Sequence, residues 1–214
     1  MTKLQVALDL IKIVPAEKLI GELENYIDII EVGTPFLIRY GLEAVRRMKQ
    51  LHPKLQVLCD GKIMDAGLCE ASEMFEAGAD WVTVMACTDD DTISQCCKAA
   101  RQFGGNVMAD MLCAGEVESV VRRLERLGVD CAAIHVGVDQ QARGITPLQM
   151  LTELRACSPK CKIAVAGGIT AQTVSEYLKL QPDILIVGGG ILESADPKSA
   201  ALNIRKAIDQ GSSL

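Results

Sequence analysis

Aromatic side chains are scarce in this chain, at 3% of its 214 residues. A protein that binds single-stranded nucleic acid usually needs aromatic faces on which bases can stack. The formal net charge of -6 also argues against binding a phosphate backbone. No apolar run reaches the roughly 18 residues of a membrane helix. The opening MTKLQVALDL lacks a signal-peptide core with a cleavage site, so a cytoplasmic protein with no membrane partner is expected. The first strand-to-helix turn lacks the GxGxxG of a dinucleotide fold. Cys157 and Cys161 have no second cysteine pair nearby, which argues against a zinc site.

Apolar residues make up 49% and charged residues 23%, a globular composition. Its length is enough for one sizeable core. The cysteines (Cys59, Cys69, Cys87, Cys96, Cys97, Cys113, Cys131, Cys157 and Cys161) are odd in number and mostly sit in apolar segments. They read as reduced thiols.

Short apolar runs alternate with helical patterns along the whole chain. Strands are expected at 4–8, 27–32, 55–59, 81–85, 106–109, 131–134, 162–166 and 184–187. Helices are expected at 15–24, 35–51, 69–76, from the aspartates 89–91 to 103, and at 117–127, 147–157, 171–180 and 197–209. About eight strand–helix units without a long linker require parallel strands and right-handed crossovers. They close most simply into a single (β/α)8 TIM barrel spanning residues 1–214. The near-continuous apolar strands fit a sheet covered on both faces. A doubly wound open sheet is the alternative.

In such a barrel, chemistry sits at the C-terminal ends of the strands. Those ends carry Asp9, Glu31, the cluster Asp60, Lys62 and Asp65, then Asp110 and His135. Carboxylates converging on one mouth need positive charge. Lys62 supplies one, and Mg²⁺ bound by Glu31 and Asp60 is a natural second, since it favours one or two carboxylates plus water and substrate oxygens. Each residue also has a plain structural reading. Asp9 and Asp110 could cap the following helices, and Asp89–Asp91 read as a cap and a solvated face. His135 could be structural, Trp81 reads as packing, and His52 beside Pro53 reads as solvated. Lys62 between two acids is the hardest to explain as scaffold. The glycine-rich exits Ala166-Gly167-Gly168 and Gly188-Gly189-Gly190 follow strands seven and eight, where barrels often hold a phosphate on backbone amides.

With these residues placed, the sequence resembles the orotidine-monophosphate-decarboxylase suprafamily. Its mark is Asp-x-Lys-x-x-Asp after the third strand, here Asp60, Lys62 and Asp65. The closest resemblance within it is to the 3-hexulose-6-phosphate synthases, with the 3-keto-L-gulonate-6-phosphate decarboxylases as sister family. It runs through LQVALDL, IDIIEVGTP, DGKIMDAG, GADWVTV, the His135 strand, IAVAGGI and LIVGGGI. The resemblance implies a homodimer with shared active sites, Asp65 entering the neighbour's site. It also implies Mg²⁺ on Glu31 and Asp60, Asp9 on substrate hydroxyls, and Lys62 facing the reacting oxygens. Gly168, Gly189 and Gly190 would contact phosphate.

Both sister families are expected to work through an enediolate. The decarboxylase forms it by losing CO₂. The synthase removes a proton from D-ribulose 5-phosphate and adds formaldehyde, making D-arabino-hex-3-ulose 6-phosphate, and the reaction is reversible. The decarboxylase typically has Glu at the Asp110 position and Arg at the positions of Val138 and Gly190. These departures favour the aldol reaction. His135 is the general base by type, since histidine is the side chain best suited to proton transfer near neutral pH. Decarboxylation is the second reading, and a non-catalytic phosphosugar-binding barrel the third.

Overall fold

The computed structural model describes residues 1–157 and 159–211, so the last three residues of the expected 1–214 unit lie outside the described residues. The strands are β1 (Lys3–Leu8), β2 (Ile29–Val32), β3 (Gln56–Ile63), β4 (Trp81–Met85), β5 (Asn106–Asp110), β6 (Cys131–His135), β7 (Lys162–Ala166) and β8 (Ile184–Val187). They pair in parallel in chain order, and β8 closes on β1. Between and after them run α1 (Ile13–Leu23), α2 (Thr34–Tyr40), α3 (Glu43–Leu51), α4 (Gly67–Glu76), α5 (Asp90–Phe103) and α6 (Val117–Leu127). The rest are α7 (Val138–Gln141), α8 (Leu148–Ala156), α9 (Val174–Leu178), α10 (Gly189–Leu192) and α11 (Pro197–Gly211). The fold is the expected (β/α)8 barrel. No helix among the described residues is long and apolar enough to cross a membrane.

The two-residue period of each strand divides its side chains between two cores. Outward residues such as Val6, Ile30, Val82, Val107, Ile134, Val165 and Leu185 pack beneath the helices. Inward residues form a smaller cluster inside the barrel. Its lower part is bulky: Ile29, Leu58, Trp81, Met108 and Ile184 are almost fully buried. Burying each such side chain contributes about 1.5–3 kcal/mol. One step towards the C-terminal ends the interior changes to Ala7, Ala133 and Ala166, with polar Glu31, Asp60, Thr83 and Asp110. Large side chains plug the base, and small ones leave room at the top.

Four aspartates stitch the base together. Asp28, Asp80, Asp130 and Asp183 each stand just before an even-numbered strand. Each accepts, through Oδ2, the backbone N–H of Leu4, Val57, Val107 or Ile163 respectively, at 2.7–2.8 Å. The aspartate N–H returns a bond to the carbonyl of the same residue on the preceding strand. The barrel is therefore built from four repeats of two strands at its base.

Several local expectations differ from the structure. The helix expected over 35–51 is split into α2 and α3, because Gly41 turns left-handed at φ +62° and caps α2 through Leu37 O. β3 does not end at Cys59 but continues to Ile63. His52 is buried at 6% exposure, folded back from the end of α3 with Nδ1 3.9 Å from Glu24. Of the expected acidic cap, Asp89 accepts the Asp91 N–H at 2.9 Å and Asp90 pairs with Arg123 of α6. All nine cysteines are free thiols.

Candidate active site

A cavity of ≈ 880 Å³ opens at the C-terminal end of the barrel. Asp9, Glu31, Asp60, Lys62, Asp110, His135, Gly168, Gly189 and Gly190 all line it. Asp65 does not. It is exposed, its Oδ1 accepts the Ala66 N–H at 2.7 Å, and it faces a shallow groove beside Cys69 and Asp91. The structure thus brings together nine of the ten site residues expected from the sequence, with Asp65 outside.

Lys62 reaches two carboxylates from the bulged end of β3. Its Nζ lies 2.7 Å from Asp110 Oδ2 and 3.1 Å from Asp60 Oδ2. Burial would lower its pKa, but the charges of Asp60 and Asp110 win and hold it well above the usual lysine value. It therefore stays cationic. Asp110 Oδ2 also meets His135 Nδ1 at 2.8 Å, while Oδ1 accepts the Leu112 N–H at 2.9 Å. Burial would raise the Asp110 carboxyl, but the hydrogen bond and charge of His135 and the charge of Lys62 bring it to about 2. An ionised Asp110 is an acceptor only, so a neutral His135 carries its proton on Nδ1. Its Nε2 lone pair is then free to act as a base.

Asp60 is held from three sides. Thr83 Oγ1 donates to Oδ1 at 2.7 Å, Thr34 Oγ1 donates to Oδ2 at 2.8 Å, and Lys62 supplies charge. Glu31 lies on the adjacent strand and accepts the Gln5 Nε2–H at 2.6 Å. Burial first, and then the Asp60 charge, push the Glu31 carboxyl up to about 8. Asp9 at the mouth is raised by burial and by Asp60, against the lowering charges of Lys62 and His135. Gly33 makes room for it: a Cβ there would sit 2.1 Å from Asp9 Oδ1.

A divalent cation beside Glu31 and Asp60 would relieve this opposition of buried negative charge. The donor set suits a hard oxygen-seeking ion. Gln5 Oε1 is also buried without a partner on the same floor. Among the described residues, no group of three or more His, Cys, Asp or Glu side chains gathers as a metal site. Water and substrate oxygens would have to complete the shell.

The opposite side of the mouth is backbone. Gly167 and Gly168 are left-handed at φ +120° and +67°. Gly189 and Gly190 open α10, and the first N–H groups of a helix have no partner within it. A Cβ on Gly190 would collide with Ile169 O at 2.1 Å, so this backbone has no room for an arginine there. Gln5, Thr34 and Thr83 are site residues absent from the sequence-based expectation. Gln5 and Thr83 carried a readable signal: each is a lone polar residue inside an apolar strand, LQVAL and WVTVM.

Residues 2–204 match the model of the Orotidine 5'-phosphate decarboxylase / HUMPS family. The chain is 42% identical over 98% of its length to a 3-hexulose-6-phosphate synthase of Bacillus subtilis, covering all of that protein. The crystal structure of the 3-hexulose-6-phosphate synthase from Salmonella typhimurium superposes with a TM-score of 0.96 at 44% identity, over 98% of this chain and 100% of that one. The 3-keto-L-gulonate-6-phosphate decarboxylase from Vibrio cholerae gives 0.83 at 27% identity, over 98% of each chain. The chain belongs to the Orotidine 5'-phosphate decarboxylase / HUMPS family of enzymes and groups there with relatives named 3-hexulose-6-phosphate synthase.

Proposed function

We propose that this chain condenses formaldehyde with D-ribulose 5-phosphate to D-arabino-hex-3-ulose 6-phosphate, reversibly, through an enediolate. The observation that carries this reading is the shared Asp110 Oδ2, which meets Lys62 Nζ at 2.7 Å and His135 Nδ1 at 2.8 Å. It couples a base to a fixed cation at one point in the cavity. His135 Nε2 takes a proton from C1 of the pentulose, and the electron pair moves onto the carbonyl oxygen. Lys62 faces the resulting negative oxygens. The C1 carbon then attacks formaldehyde. The new C–C bond forms as the C=O π pair moves to oxygen, which takes the proton back from His135.

Glu31 and Asp60 would hold Mg²⁺, which when bound supplies Lewis-acid stabilisation of vicinal oxygens. Asp9 would contact substrate hydroxyls, and the amides around Gly168, Gly189 and Gly190 would hold the phosphate. Val138 stands 81% exposed at the rim and offers no charge to deliver a proton, which favours aldol addition over protonation after decarboxylation.

The working unit in this reading is a homodimer. Leu10, Ile38, Met64 and Val138 are exposed apolar residues on segments that follow β1, β2, β3 and β6, at the same end of the barrel as the cavity. A second copy would cover them, and Asp65 would then enter the neighbour's site. Nine free thiols fit a reducing cytoplasm. The test incubates the protein with formaldehyde, D-ribulose 5-phosphate and Mg²⁺ and follows formaldehyde loss. In parallel, 3-keto-L-gulonate 6-phosphate is tested for CO₂ release. Formaldehyde loss supports the aldol reading; CO₂ release alone replaces it with decarboxylation.

A further inference from the structure

β3 and β4 fall out of register where the site is built. Cys59 pairs with Val82 and Ile63 with Val84, so Asp60, Gly61 and Lys62 face Thr83 alone. A bulge of this kind leaves backbone groups without ladder partners and re-aims side chains. Here it lets Asp60 and Lys62 both line the cavity. Lys62 takes φ +47°, a left-handed conformation unfavourable for any residue with a Cβ.

Thr83 answers both problems with one hydroxyl. Its Oγ1 accepts the Lys62 backbone N–H at 2.9 Å and donates to Asp60 Oδ1 at 2.7 Å. It is 4% exposed, and its strand neighbours Val82 and Val84 are fully buried in the outer core. The hydroxyl therefore sits on a rigid strand and stands in for the missing ladder bond.

We propose that Thr83 is the positioning residue of the site: it fixes the bulge that aims Lys62 and Asp60 at the reacting atoms. This rests on the aldol reading for the identity of the substrate. It does not make Thr83 catalytic, since its hydroxyl is already committed on both sides. Valine has the same shape but leaves the Lys62 N–H and one Asp60 acceptor position without their partner. Thr34 and Lys62 would still hold Asp60, so the larger effect falls on the backbone that carries Lys62.

The test measures Thr83→Val, Thr83→Ser and Thr83→Cys in the full-length protein. The readouts are kcat for condensation, the exchange rate of the C1 proton of D-ribulose 5-phosphate, and inhibition by inorganic phosphate. A misaimed Lys62 should lower kcat and C1 exchange about 100-fold in Thr83→Val. Inhibition by phosphate should not change, because the glycine exits lie on β7 and β8. Serine keeps the hydroxyl and should restore kcat to within about threefold of wild type. Should the valine protein fail to fold, Thr83→Cys decides, since its weaker donor should still cost about tenfold in kcat. Wild-type kcat in folded Thr83→Val or Thr83→Cys overturns the proposal, as does a serine variant as impaired as valine. A wild-type protein that exchanges the C1 proton without consuming formaldehyde overturns the aldol reading instead and leaves the exchange assay to judge Thr83. One that does neither overturns both.

Discussion

His135 Nδ1 and Asp110 Oδ2 lie 2.8 Å apart, on adjacent strands β6 and β5. The pair orients the imidazole with Nε2 as its free nitrogen. His135→Gln should lower the exchange of the C1 proton about 10²–10⁴-fold, the usual contribution of a positioned base. Asp110→Asn should also impair exchange, by loosening both His135 and Lys62. NMR of D-ribulose 5-phosphate in D₂O reads this directly. Normal exchange in His135→Gln would remove it as the base.

The same pair contributes to stability with a definite sign. The Asp110 carboxyl is brought from an ordinary 3.8 to about 2 in the folded protein. Its contribution is complete above 3.8 and is lost as pH falls through about 2. Acid titration of wild type and Asp110→Asn should therefore diverge above that window and converge below it.

Glu31 should act in the opposite direction in metal-free protein. Its carboxyl is raised from 4.5 to about 8, so the folded state keeps a proton that the unfolded chain releases. Stability should fall as pH rises from 4.5 towards 8, and Glu31→Gln should remove that fall. Thermal melts in chelator across this range measure it. Adding Mg²⁺ at neutral pH should raise the wild-type melting temperature and leave Glu31→Gln much less affected.

Asp80 belongs to the base of the barrel, away from the cavity. Asp80→Ala would leave the buried Val57 N–H without its acceptor and remove the Lys49 ion pair, at 2.7 Å each. A loss of about 1–3 kcal/mol is expected for an unsatisfied buried donor. The folded variant should keep its kcat. Urea unfolding with parallel kinetics separates the two effects.

The proposed shared sites can be tested by mixing subunits. Lys62→Ala and Asp65→Ala proteins should each be nearly inactive. If Asp65 serves the neighbour's site, a hybrid dimer places both substitutions in one site and neither in the other. Equimolar mixing with random exchange should recover about a quarter of wild-type activity. No recovery, with exchange of subunits demonstrated, would mean that Asp65 acts within its own chain; a fully active Asp65→Ala protein would mean that it has no part in the site.

The barrel was legible because alternation and apolar runs are properties of whole segments. The convergence of Asp9, Glu31, Asp60, Asp110 and His135 followed, since a closed barrel brings strand ends to one face. What escaped were features that depend on a neighbour. Asp60-Gly61 reads as a turn, yet β3 continues through it, and the left-handed residue is Lys62. Gly61 has an ordinary φ, and a Cβ there would meet the flexible end of Met74, with Cε at 2.2 Å. Thr83 stands out as a lone polar residue in its apolar strand, but what it holds appears only beside the register shift of β3. His52 sits next to a proline, but its ring lies against the end of α1, near Gly21 and Glu24, and is buried. The roles of the four base aspartates likewise depend on the preceding strand, whose N–H groups they accept.

The most direct measurement is formaldehyde consumption by the purified protein with D-ribulose 5-phosphate, with Mg²⁺ and again with chelator, alongside CO₂ release from 3-keto-L-gulonate 6-phosphate. Rapid, Mg²⁺-dependent loss of formaldehyde with formation of a hexulose phosphate is expected, with little or no CO₂. Robust CO₂ release without formaldehyde consumption would contradict the aldol assignment.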